Sequence, residues 1–200
     1  MSPEAWLRGP VEDVIPALQP VAHALIQARE DLERVVPMLS AEELWSAPGG
    51  AASPGFHLRH LTGSTDRLLT YARGEKLSRD QERHLATEKE PHPDLSAEHL
   101  LEEIREVFDR AMAHLRRVED TELDDERLVG RGELPSNVRG LLYHLGEHAT
   151  RHVGQLITTL NVNRDRPLPR GPTRVPPDED RRGHSPGGAL PDPPPDSPGE

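Results

Sequence analysis

The side chains with the most obvious chemistry in this 200-residue chain are His144, His148 and His152, in the run His144-Leu-Gly-Glu147-His148-Ala-Thr-Arg151-His152-Val-Gly-Gln155. On an α-helix, residues four apart share a face with Cβ atoms about 6 Å apart, so two successive imidazoles can grip one metal ion. Leu141, Leu145, Leu156 and Leu160 continue the side that carries His148 and His152, which points this pair toward a core. An unpaired buried polar group costs about 1–3 kcal/mol. A shared metal would give both rings a partner.

Two imidazoles are too few for a stable site. A catalytic zinc-type centre commonly has three protein ligands and an open position, and helical bundles build such centres from facing helices. The segment Phe56-His57-Leu58-Arg59-His60-Leu61 offers two candidates one turn apart. Spacing leaves two choices open: His144/His148 or His148/His152 as the pair, and His57 or His60 as the third ligand. Glu-x-x-His pairs on two helices are missing, which argues against a di-iron carboxylate site. His-Glu-x-x-His is also missing, and with it the zinc-protease arrangement. No Ser-His-Asp arrangement, phosphate-cradling glycine loop or dinucleotide fingerprint appears, so no catalytic residue is assigned beyond the metal set.

Neighbouring residues have plainer expectations. Gln155 could bond to a ligand but reads better as a solvated or interhelical amide. Glu147 lies about 100° round the helix from His148 and should face solvent or another helix. Arg59, Arg67 and Arg151 could meet an anionic substrate, although pairing with acids on helix surfaces is the simpler expectation. Trp45 and Tyr71 are expected in core packing.

Positioning these histidines requires long helices, and the apolar spacing supplies four. The first covers about 20–36, with Val21, Leu25, Ala28, Leu32 and Val35 on one side. Ser40-Ala-Glu-Glu43 resembles a capping box opening a short turn that carries Trp45. Ser53-Pro54 should open the second helix and Gly74 should close it. The third covers about 96–118, through Leu100, Ile104, Val107, Ala111, Leu115 and Val118. The fourth begins at Pro135 or Ser136 and runs to Leu160. No convincing strand pattern appears. The expected fold class is all-α, a four-helix bundle, with 75–95 and 119–135 as the least defined connectors.

Composition bounds the rest. A chain with 34% hydrophobic and 30% charged residues reads as soluble, and no apolar run approaches the ~18 residues of a membrane span. The start of the chain lacks a basic region followed by an apolar stretch, so no signal peptide is expected and a cytoplasmic location is the default. Zero cysteines exclude disulfides, thiolate metal sites and a cysteine nucleophile. A net charge of −11 argues against nucleic acid as a partner. Eleven of the 21 prolines follow Asn163, with runs such as Pro193-Pro194-Pro195, so the expected division is a bundle over 1–162 and a disordered proline-rich tail over 163–200. That tail could meet a reader of extended proline segments, but a solubilising appendage is the plainer expectation.

Two blocks also resemble a known family. Leu44-Trp45-Ser-Ala-Pro48-Gly-Gly-Ala-Ala-Ser53-Pro-Gly-Phe56-His57-Leu58-Arg59-His60-Leu61 and Pro135-Ser-Asn-Val-Arg-Gly140-Leu-Leu-Tyr-His144-Leu-Gly-Glu147-His148-Ala-Thr-Arg151-His152-Val-Gly154-Gln155 resemble the DinB-like (YfiT-like) superfamily of metal-binding four-helix bundles. The blocks cover about a fifth of the chain. The resemblance implies a divalent metal, zinc or nickel, on His60, His148 and His152, with His57 and His144 as neighbours. It further implies a metal-dependent transferase acting with a low-molecular-weight thiol such as bacillithiol or mycothiol, whose thiolate attacks an electrophile, and a homodimer. A hydrolase using bound water and a stress-associated metal-binding bundle without turnover are the alternative expectations.

Overall fold

Serine and proline decide where most helices of this chain begin, as a computed structural model describing residues 3–92 and 94–164 makes visible. Helix α1 (Gln19–Val35) carries proline in its first turn and buries Val21, Leu25, Ala28, Leu32 and Val35. Ser40 closes a capping box with Glu43 at the short α2 (Ala41–Trp45). Ser53 accepts a hydrogen bond from the Phe56 amide at 3.1 Å and opens α3 (Pro54–Ala72). The chain leaves α3 through Gly74, whose φ of 74° is one that glycine adopts without a Cβ penalty. Helix α4 (Arg79–Thr87) opens on a second capping box, Ser78 with Gln81. Ser96 caps α5 (Ala97–Leu115).

The four long helices close a bundle. The last, α6 (Val138–Arg164), packs against α3 and α1, while α5 packs against the other sides of the same two helices. Their stripes meet in one core that includes Leu25, Leu61, Ile104, Phe108, Leu145 and Leu156, all at most 1% exposed. Each fully buried leucine or phenylalanine side chain contributes about 1.5–3 kcal/mol relative to exposure. The all-α expectation therefore holds, and among the described residues no helix is long and apolar enough to cross a membrane.

Two features are additions. Strands β1 (Glu126–Val129) and β2 (Leu134–Asn137) form an antiparallel hairpin in the register Glu126↔Asn137 to Val129↔Leu134. This corrects the expected start of the last helix. Pro135 and Ser136 pair in the hairpin, and Asn137 caps α6 by accepting from the Gly140 amide at 2.7 Å. The carbonyls of Asp125 and Leu123 take the Val138 and Arg139 amides at 3.2 and 2.8 Å, so the first N–H groups of α6 are satisfied by the segment that leads into β1. The second addition is α4 itself, inside the stretch read as a connector.

Helix α6 continues to Arg164, whose Nη2 donates to Glu43 Oε2 at 3.0 Å and to the Met38 carbonyl at 2.8 Å. From residue 165 onward, the tail expected over 163–200 lies outside the described residues.

Candidate metal centre

Helix α3 contributes His57 and His60, and α6 contributes His148 and His152. These two helices are in direct contact, so histidines about ninety residues apart in sequence meet across one interface. Among the described residues, His60, His148 and His152 form a group whose ligand nitrogens all lie within 4.8 Å of one another. His60 Nε2 is 2.9 Å from His148 Nε2, and His57 Nδ1 is 3.0 Å from His152 Nδ1. The ring centroids of His148 and His152 are 4.4 Å apart, and those of His60 and His152 are 4.5 Å apart. Phe56 stacks on His60 at 5.3 Å with nearly parallel planes, closing one side.

His57 is 3% exposed and touches His152 from outside this group. His144 is exposed and sits 3.5 Å from Glu147 on the helix surface. Gln155 is exposed, as its plainer expectation required. Glu147 pairs with Arg151 on the outside of α6. Trp45 and Tyr71 are half-buried against the core.

The electrostatics favour neutral rings with free lone pairs. Burial, reinforced by the neighbouring rings, lowers His57 and His148 to about 4 and His152 to about 3. At neutral pH these imidazoles are uncharged, the form that a metal requires. One buried nitrogen, His148 Nδ1, has no hydrogen-bond partner, so the cluster is not satisfied by protein groups alone.

A pH dependence follows for the metal-free protein. Unfolded histidine takes up a proton near pH 6.5, whereas these three resist protonation in the fold until about 4 or below. Between those limits the unfolded state binds more protons, so stability falls as pH falls. The melting temperature should drop by about 5–10 °C between about pH 7.5 and about 5.5. A flat profile by circular dichroism would show that the rings are not held neutral.

Behind His60 stands Glu88, a group that sequence reasoning did not find. It is 3% exposed, at the C-terminal end of α4. His60 Nδ1 lies 2.8 Å from Glu88 Oε1, within hydrogen-bond distance, while Arg67 donates twice to Oε2 at 3.2 Å. Burial alone would raise this carboxyl, but the His60 hydrogen bond and the Arg67 charge hold it below its ordinary value. Arg67 thus pairs with an acid as expected, but inside the protein rather than on its surface. Among the described residues Arg59 pairs with no acid: it is 7% exposed and donates to the Thr87 and Glu90 carbonyls, each at 2.8 Å. That clamp caps the end of α4 and fixes Glu88 against α3. His84 Nε2 donates to the Arg59 carbonyl at 2.9 Å and tightens the same junction.

Gly63 makes the junction possible. A Cβ there would lie 2.7 Å from both Arg67 Nη1 and His84 Nε2. Gly63→Ala should cost about 1–3 kcal/mol through overpacking, measured by denaturant titration; a neutral or stabilising result would show that α4 can yield freely.

The sequence matches the DinB superfamily over residues 2–156. The chain belongs to the DinB superfamily. Its fold is shared with two solved structures. One is a conserved protein from Enterococcus faecalis, 18% identical, with a TM-score of 0.56 over 71% of this chain and 94% of that one. The other is YfiT from Bacillus subtilis, 15% identical, with a TM-score of 0.56 over 81% of this chain and 98% of that one. YfiT is described as a probable metal-dependent hydrolase with an unusual four-helix bundle topology. No curated protein matches the chain. As a DinB-superfamily bundle, the chain places its histidine cluster between α3 and α6, with the Glu88 segment against α3.

Proposed function

We propose that this DinB-superfamily protein is a metal-dependent enzyme whose divalent ion, zinc or nickel, is held by His60, His148 and His152. The observation that carries the reading is the convergence of three imidazole nitrogens within 4.8 Å, two of them, on His148 and His152, from rings whose burial favours the neutral form. The donor set fits the ion: three neutral nitrogens suit zinc or nickel, and three protein ligands leave a position for a substrate atom. When bound, such an ion supplies Lewis acidity, polarising an oxygen or lowering the pKa of a water or thiol.

The chain's own residues prepare that chemistry. His148 and His152 present lone pairs from one face of α6, and α3 brings His60 against them. Phe56 shields one flank from water. Among the described residues no acid belongs to this group, so the ion would keep its full charge and favour an anionic or readily ionised partner atom.

For the reaction we favour transfer involving a low-molecular-weight thiol of the bacillithiol or mycothiol type. The support is the resemblance of the two histidine-bearing blocks, together with a chain that has no cysteine of its own. A second reading, a hydrolase using water, draws on the fold shared with YfiT and its description. One assay separates them. Zinc- and nickel-loaded protein is incubated with an electrophilic chlorinated arene, with and without thiol, and with an ester. Thiol-dependent turnover above the metal-free control supports transfer, ester cleavage without thiol supports hydrolysis, and neither leaves a binding bundle without turnover. Homodimer assembly belongs to the same proposal and is checked by sedimentation of the full chain.

A further inference from the structure

We propose that Glu88 is the positioning residue of this centre: it locks His60 in the Nδ1–H tautomer, so that Nε2 is the atom offered to the metal. The inference rests on the metal reading of the histidine cluster and names a residue outside its ligand set.

Proton accounting at Glu88 fixes the His60 tautomer. An ionised carboxylate only accepts hydrogen bonds. Its Oε2 is occupied by two donors from Arg67, and its Oε1 faces His60 Nδ1 at 2.8 Å. The proton of that contact therefore sits on Nδ1. A neutral imidazole has one N–H, so Nε2 carries the lone pair, and Nε2 is the nitrogen that lies 2.9 Å from His148 Nε2. Metal-bound histidines commonly donate their other N–H to a carboxylate, and losing that partner typically weakens metal binding 10–100-fold.

The surrounding fold is arranged to deliver this one carboxylate. Helix α4 is pinned at its start, where Gln81 donates to Asp66 Oδ2 at 2.6 Å and to the Thr70 hydroxyl at 2.7 Å. It is pinned at its end by the Arg59 clamp on the carbonyls of Thr87 and Glu90. Both anchors belong to α3, the helix that bears His60. The Glu88 side chain is 4% exposed, too enclosed for water to substitute for it. A purely structural role would require only the Arg67 pair. Dividing the two oxygens between a guanidinium and an imidazole adds a fixed ring orientation.

The test uses the full-length chain and its Glu88→Gln variant. Nitrogen-15 NMR of the metal-free protein reads the His60 tautomer, and competition with a chromophoric chelator reads zinc affinity. In the wild type, His60 Nε2 should be the unprotonated nitrogen. Glu88→Gln, folded by circular dichroism, should show a mixed or reversed tautomer and a 10–100-fold loss of zinc affinity. An unchanged tautomer with zinc affinity within about twofold overturns the proposal. If the glutamine variant fails to fold, Glu88→Asp keeps the charge but withdraws the carboxylate. It should show the same tautomer shift with a smaller affinity loss, and wild-type behaviour in both readouts overturns the proposal. A wild type that binds no zinc would sink the metal reading, and the metal-free tautomer comparison would still decide the role of Glu88.

Discussion

His152→Ala should lower the affinity for zinc or nickel by about three orders of magnitude while leaving the bundle folded. His152 lies at the centre of the cluster, with its ring 4.4 Å from His148 and 4.5 Å from His60. Apparent zinc-binding energies in structural sites run to about 10–16 kcal/mol. Losing one of three nitrogens removes about a third of such a total, or about 4 kcal/mol, and each 1.4 kcal/mol is tenfold. The fold should survive because the stripe on either side, Ala149, Val153 and Leu156, is at most 3% exposed and unaltered. The variant also removes a half-buried ring held at about 3. The metal-free protein should therefore lose less stability on acidification than the wild type. Isothermal titration and melting at two pH values read both effects. Wild-type metal affinity in this variant would refute the ligand assignment.

Arg67→Ala should be among the most damaging single substitutions outside the apolar core. It strips the charge partner from a carboxylate whose side chain is 4% exposed. Removing one member of a buried ion pair typically costs about 3–5 kcal/mol, because the remaining charge stays desolvated. For a domain of this size that corresponds to a fall in melting temperature of about 10 °C. The consequences extend to the histidines. Without Arg67, burial drives the Glu88 carboxyl toward its protonated form, and a protonated carboxyl no longer holds the proton of His60 Nδ1. Arg67→Lys keeps the charge but not the double donation, so it should fall between the two. Calorimetry decides the matter: a melting temperature within about 2 °C of wild type would show that water or another group satisfies Glu88.

These two substitutions mark what was and was not legible in the sequence. His148 and His152 stand out because ligand spacing and apolar spacing share one helical period, so Leu141, Leu145 and Leu156 indicate which way the imidazoles point. The long helices are legible for the same reason, with Ser53 and Gly74 marking the limits of α3. Spacing alone could not separate His60 from His57. Both occupy the inner side of α3, and only the packing of α3 on α6 shows that His57 meets His152 while His60 reaches both α6 rings.

Glu88 was invisible for a different reason. It is one of 35 acidic residues, and its partners lie 28 and 21 positions away. No local period connects a C-terminal cap position on α4 to a histidine on α3. Helix α4 itself has no buried residue to form a stripe, and its Leu85 is 46% exposed. Its one local signal was the Ser78-to-Gln81 capping box. The hairpin was missed because its strands are four residues long and hold no buried residue. Their pairing is set by the turn at Gly130 and Glu133, where φ is positive, and by the need to satisfy the first amides of α6.

The most direct test of the central claim is anomalous diffraction from a crystal of the metal-loaded protein, measured on both sides of the zinc or nickel absorption edge. The expected result is one strong peak between α3 and α6, about 2.0–2.1 Å from nitrogens of His60, His148 and His152, with Nε2 as the His60 ligand. A peak elsewhere, or none among these three residues in fully loaded protein, would contradict the assignment.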